Sequence, residues 1–336
     1  GLPIASLSTL QRVLVVGSFL RKDHPLFAQR IRHAARKGAQ VHSVGALADD
    51  WAMTMGTRLI AAPSDWLQSL ADIAAAIAAA KGIAAPANGK TNDAAKAIAD
   101  SLLSGERKAV LLGNAAAQHP QAGALLALAN WIAAQTGATV GYLTEAANTV
   151  GAQLVNAQPG AGGLNAGQML AGGALKAALL LDVEPAYDAA DPSAAQAALA
   201  KAEMVVALTA FKSAALDELA DVLLPVSPFS ETSGSFVNAE GRLQSFHGVV
   251  KPLGETRPAW KVLRVLGNML ALSNFDFETS EDVRAEALGR DAAALAARLD
   301  NGSNAAIAPQ AAPAGLQRIA DVPIYSADSL VRRAPA

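Results

Sequence analysis

Residues 12–44, RVLVVGSFLRKDHPLFAQRIRHAARKGAQVHSV, decide the fold of this chain. The valine-rich run 12–17 predicts a buried strand that ends in a tight turn at Gly17. Pro25, whose fixed φ suits a first helical turn, opens a predicted helix over 25–37, with Asp23 as its expected N-cap. Residues 40–44 supply the next strand. Strand, glycine turn, helix, strand is the βαβ unit of a doubly wound sheet. Gly17 is therefore a candidate phosphate-binding turn, but GSFLRK matches neither G-x-G-x-x-G nor a Walker A loop, which favours a simple turn at a strand end.

The alternation continues in both directions from this unit. Helices are predicted over 65–80 (capped by Ser64 and Asp65), 93–103 and 120–136, and strands over 109–112 and 139–143. A second series follows, with strands at 176–182, 204–208 and 222–224 and helices at 192–201 and 213–220. Such order argues for mainly parallel sheets with helices on both faces. It divides the chain into an α/β lobe over 1–145, a second over 146–275, and a remainder over 276–336. Helix 258–272 places Val262, Leu263, Leu266 and Leu270 on one face. The remainder reads as a helix at 280–299, a linker at 301–315 and a tail. Between Lys108 and Lys176 the only charged residue is Glu145. This stretch is expected to be buried, or covered by a neighbouring domain or subunit, because its apolar run 123–134 is too short to cross a membrane. The glycine-rich loop 158–173 offers Gly162, Gly163 and Asn165 as a candidate anion cradle. No lysine or threonine follows to complete a nucleotide site, so a loop between sheet halves is the preferred reading.

Composition narrows the function. Hydrophobic residues make up 52% of the 336 and charged residues 17%, the balance of a globular chain with a large core. A net charge of −2 with no basic run excludes a nucleic-acid surface; Arg30, Arg32, Arg36 and Lys37 read as a solvated helix face. There is no cysteine, hence no disulfide, no cysteine-ligated iron–sulfur cluster and no cysteine nucleophile within these residues. The five histidines lack metal-ligand spacing, and no serine sits in a G-x-S-x-G elbow. No catalytic or metal-binding set is expected. The opening GLPIASLSTL lacks the charged region of a secretion signal, and the natural N-terminus is expected to precede Gly1.

One further stretch asks for a particular backbone: residues 220–246, ADVLLPVSPFSETSGSFVNAEGRLQSF. Pro225 is expected to stop a short strand, and Gly234 to use its freedom at positive φ. Strands at 235–238 and 242–246 flank a hairpin turn with Gly241 in the left-handed position. Glu231 and Glu240 form no acid–base pair on this reading, because Arg242 is placed to hold Glu240 in a salt bridge.

The pattern ADVLLP ending in Pro225, then Glu231, Gly234, Asn238, Glu240, Gly241, Arg242 and Gln244, resembles the molybdopterin oxidoreductase superfamily. Within it, the stretches 15–41 and 321–336 (DVPIYSADSLVRRAPA) are most similar to the family of large iron–sulfur G subunits of bacterial respiratory complex I, the NADH–quinone oxidoreductase. The resemblance spans nearly the whole chain. It implies two lobes of formate dehydrogenase-like fold with a short hairpin extension, serving as a non-catalytic scaffold in an enzyme that passes electrons from NADH to quinone. It further implies that iron–sulfur clusters are bound by cysteines N-terminal to the matched region, that Gly17, Gly162, Gly163 and Asn165 mark a vestigial cofactor pocket, and that no cofactor is held here. Implied partners are other peripheral-arm subunits, with no direct membrane insertion, on the cytoplasmic side of the bacterial inner membrane. The alternative is the molybdopterin-binding domain of an active molybdenum enzyme such as formate dehydrogenase. A free-standing nucleotide-binding protein fits less well, since the glycine fingerprint is missing.

Overall fold

The computed structural model describes every residue except 173–174, 312, 320–327 and 335–336. The described residues group into two units: those of Gly1–Val150, Asn238–Arg242 and 299–319, and those of Gly151–Val237, Leu243–Arg298 and 328–334.

The first unit is built on five parallel strands, β1 (Arg12–Val16), β2 (Gln40–Gly45), β3 (Arg58–Ile60), β4 (Lys108–Leu112) and β5 (Thr139–Tyr142), in the order β3-β2-β1-β4-β5. β1 pairs with β2 on one side and β4 on the other, Val13 lying beside Val41 and Ala109. Successive side chains point to opposite faces, and both faces are covered. Leu14, Val16, Val110 and Leu112 join the core under the helices Trp66–Lys81, Asp93–Leu103 and Ala122–Thr136. Val13, Val15, Ala109 and Leu111 face Leu20, Ala28 and Ile31, from the turn after β1 and the helix Pro25–Arg36. Alanine at the helix contacts lets three helices gather closely on one face; Ala71, Ala74, Ala95, Ala99, Ala124 and Ala129 are all buried. Asn92 caps helix 93–103, accepting from Ala95 N at 2.9 Å.

Several expectations are corrected here. Asp23 does not cap helix 25–36; a short helix, Leu20–Asp23, intervenes, and its carboxylate accepts instead from Ser18 Oγ (2.9 Å) and Phe19 N (3.0 Å). Ser64 and Asp65 make no side-chain cap, because Pro63–Asp65 is already a 3₁₀ turn and the Ser64 hydroxyl accepts from Gln317. The charge-poor stretch is buried only in part: helix 122–136 is buried, with residues of the expected linker over it, whereas residues 155–169 are exposed although uncharged. Asn130 Nδ2 donates to Asn301 O (2.7 Å), Ser303 Oγ to Gly123 O (2.7 Å) and Gln121 Nε2 to Ala308 O (3.1 Å), while Ile307 packs on the core.

The second unit carries three parallel strands in chain order, β6 (Ala177–Leu181), β7 (Met204–Thr209) and β8 (Val222–Pro225), and an antiparallel hairpin of β9 (Gly234–Val237) and β10 (Leu243–Phe246). The expected helix 280–299 is two, Ser280–Leu288 and Ala292–Ala296, broken at Gly289 with φ +82°. The glycine-rich loop is likewise shorter than expected, because Ala166–Gly172 is helical. Among the described residues no helix is long and apolar enough to cross a membrane.

Candidate functional site

In doubly wound sheets ligands bind outside the carboxyl ends of the strands, where the strand order reverses. In the first unit that point lies between β1 and β4, and it places Gly17 beside Gly113. Gly17 has φ +63°, and a Cβ there would come within 2.6 Å of Ala116 N and 2.9 Å of the Trp66 ring. At Gly113 a Cβ would overlap Ser18. Gly113 N donates to Val16 O (2.8 Å) and Ala115 N to Gly17 O (3.1 Å), so the two loops bond to each other main chain to main chain. The glycines here serve close approach of two loops.

Around this closed point the polar groups are mostly engaged. Gln118 Nε2 donates to Glu145 Oε1 at 2.6 Å. His119 lies against Trp66, with ring centroids 6.0 Å apart, and its Nε2 donates to Pro63 O at 3.0 Å. His24 Nε2 donates to Thr144 O at 2.9 Å, which in the neutral ring leaves Nδ1 as an acceptor. That nitrogen and Asn114 Oδ1 are buried without a partner among the described residues. Deeper in the sheet, burial and then the nearby Arg12 guanidinium push the pKa of His42 below its usual value, and its Nδ1 accepts from Thr57 N at 3.0 Å. The same two causes lower Lys108.

The other candidate residues belong to the second unit or to the hairpin tip. Gly162 and Gly163 are exposed. Asn165 caps helix 166–172: its Oδ1 accepts from Gln168 N (2.9 Å) while Gln168 Oε1 accepts from Asn165 N (3.0 Å). This reciprocal box was legible in the Asn-x-x-Gln spacing. Glu231 Oε2 accepts from Leu253 N at 3.0 Å. Pro225 pairs with Thr209 as the last residue of β8, and Val226 N then donates to Thr209 O (3.1 Å), so the ladder runs past the proline. Gly234 opens β9 in extended conformation, with no room for a Cβ beneath the Phe246 ring. The turn has Gly241 at φ +82° as expected, and Asn238 Oδ1 organises it, accepting from Glu240 N (3.1 Å) and Arg242 N (2.9 Å). Gln244 stands opposite Phe236. Glu240 meets Arg242 Nε at 3.0 Å, the expected salt bridge, and its other oxygen accepts from Ile4 N at 2.6 Å. The Glu240–Ile4 bond joins residues far apart in sequence, and no spacing signal announces it.

Nor does any spacing announce the arrangement after β6. Glu184, only 4% exposed, is held by Arg333 (Nη2 to Oε2, 2.8 Å) and Arg332 (Nη1 to Oε1, 3.2 Å), which lower its pKa, the Arg333 hydrogen bond most. Among the described residues no group of three or more His, Cys, Asp or Glu side chains is placed to hold a metal ion.

Comparison with known proteins adds a family. Residues 2–269 match the family model described as molybdopterin oxidoreductase. The G subunit of the NADH-quinone oxidoreductase of Streptomyces coelicolor is 31% identical over 283 residues, covering 76% of this chain and 32% of that protein. Its counterpart from Mycobacterium bovis is 29% identical over 269 residues, again 32% of its length. The chain thus spans about a third of these relatives. A putative formate dehydrogenase of Staphylococcus aureus is 47% identical, but over 51 residues, 15% of this chain. Among solved structures, acetylene hydratase from Pelobacter acetylenicus superposes with a TM-score of 0.56 at 14% identity, covering 84% of this chain and 52% of that one. The formyltransferase/hydrolase complex from Methylorubrum extorquens gives 0.55 at 18%, covering 80% and 76%. These two likenesses concern the fold.

Proposed function

The chain belongs to the molybdopterin oxidoreductase family, and from that premise we propose that it is a scaffold region of the iron–sulfur G subunit of an NADH–quinone oxidoreductase, without an active site of its own. The likeness to such subunits extends over three quarters of the chain, against short matches to formate dehydrogenases. The observation that carries the reading is the closed switch point of the first sheet. A pterin dinucleotide, the cofactor the family implies, carries phosphates and needs backbone donors, arginines or lysines where they lie. At this edge the Gly17 and Gly113 loops bond to each other, and residues 17–19 and 113–118 contain no lysine or arginine. The partnerless Asn114 Oδ1 is an acceptor that would face phosphate oxygens unfavourably. These residues do not fit a phosphate-bearing group.

On this reading the region buttresses cluster-bearing domains and touches other peripheral-arm subunits on the cytoplasmic side of the bacterial inner membrane. Electrons pass through iron–sulfur clusters held elsewhere in the longer subunit, since this chain supplies no cysteine. The second reading, a cofactor-binding domain of a molybdenum enzyme, rests on the local likeness to formate dehydrogenases. Purifying the tagged protein from its native cell in mild detergent separates the two. Co-purification with the other subunits of an NADH-oxidising, quinone-reducing complex is expected. A particle that lacks them and oxidises formate would overturn the proposal.

A further inference from the structure

The carboxyl edge of the second sheet carries Glu184 and Asp188, with the Asp188 carboxylate accepting from Glu184 N at 2.8 Å. Glu184 is nearly buried, and a buried carboxylate without a cation is strongly destabilising. The chain supplies two cations from its own C-terminal segment. Arg333 grips Glu184 as a fork, with Nη1 to Oε1 and Nη2 to Oε2 both at 2.8 Å, and its guanidinium lies 4.6 Å from the centre of the Phe211 ring. Arg332 reaches Glu184 and Asp188 and lies 5.1 Å from the Tyr187 ring. Arg333 also donates to Ser329 O at 2.8 Å, which folds the segment into the compact turn that presents both arginines. Glu184 follows β6 and Phe211 follows β7, so the segment sits across the ends of two adjacent parallel strands, the side of such a sheet on which ligands bind.

We propose that this edge is a guanidinium-binding site, walled by Tyr187 and Phe211 around Glu184, which the Arg332–Arg333 segment occupies in cis as a latch and which takes a di-arginine segment in trans when the latch is vacated. Its ligand class is an arginine-bearing peptide. A planar fork matches the carboxylate and stacks on the rings in a way an ammonium does not. While the latch is seated, its high effective concentration keeps competing peptides out.

The test uses the full chain carrying R332A and R333A, which vacates the site and leaves Glu184 in place. The probe is a fluorescein-labelled peptide of residues 328–334, DSLVRRA, followed by anisotropy. Saturable binding to the double variant is expected, about tenfold or more weaker to the unaltered chain and lost when E184Q is added. A peptide with both arginines replaced by alanine should not bind. Absence of saturable binding to the double variant, with circular dichroism unchanged, overturns the proposal, as does equal binding to both chains or indifference to E184Q. Tryptic cleavage after Arg332 and Arg333 gives a second readout that needs no peptide. It should be about tenfold faster in the E184Q chain than in the unaltered one, and equal rates would also overturn the latch.

Discussion

The loop interlock at the switch point makes Gly17→Ala an informative substitution. Two costs add at this position. Alanine in the left-handed region costs about 1–2 kcal/mol. The new methyl must also be placed within 2.6 Å of Ala116 N and 2.9 Å of the Trp66 ring, where backbone and a buried indole give little way. Overpacking of that kind costs about 1–3 kcal/mol, for a total of about 2–5 kcal/mol. Gly38→Ala is the control. Gly38 also has positive φ, +93°, but nothing lies within 4 Å of its Cβ position, so only the conformational cost applies. Urea unfolding of the full chain followed by tryptophan fluorescence reports mainly on the first unit, which holds Trp51, Trp66 and Trp131, with only Trp260 elsewhere. Gly17→Ala should lose about 1–3 kcal/mol more than Gly38→Ala. Equal losses would mean that open space lies beyond Gly17, and would refute the interlock.

Other consequences follow from single contacts. Glu240→Ala removes the acceptor of Ile4 N and the partner of Arg242, one of them a charge-assisted bond at 2.6 Å, and should cost about 1–3 kcal/mol. Amide exchange across the turn Ile4–Thr9 should quicken in that variant, and unchanged exchange would show that Glu240 does not hold the turn. His42 is held neutral in the folded chain by burial and by Arg12. The unfolded chain therefore takes up this proton first as pH falls below about 6.5, and the first unit should lose stability there, with full stability above it. Urea midpoints of the unaltered chain and of His42→Gln, compared across that range, isolate the contribution; the same slope in both would contradict it.

Much of the first unit was legible because its strands are short, valine- and leucine-rich runs, the first ending at Gly17, and because Pro25 marks the start of the helix that follows. The errors have local causes. Asp23 resembles a cap, yet the chain inserts one extra helical turn before Pro25, and the carboxylate turns back to Ser18 and Phe19. The three residues of β3 are too few for periodicity to register. The alanine-, proline- and glycine-rich stretch 301–315 reads as a linker because it has no period, although its polar side chains and carbonyls strap helix 122–136. Of the candidate site only Gly17 was legible as a candidate; Gly113 read as no more than the end of a strand, and Gly162 and Gly163 belong to the second unit. What the two loop glycines do was not legible, since a phosphate cradle and a loop-to-loop contact require the same residue, and only the proximity of Ala116, Trp66 and Ser18 distinguishes them. The Glu184 cluster was invisible for a simpler reason: its partners are separated by 148 and 149 residues.

The central claim is that this family member scaffolds electron transfer without a molybdenum cofactor. Its most direct test is to measure molybdenum, iron and flavin together, per chain, on the full-length protein purified from its native cell. Iron and flavin without molybdenum is the predicted result. Molybdenum near one atom per chain would contradict the account.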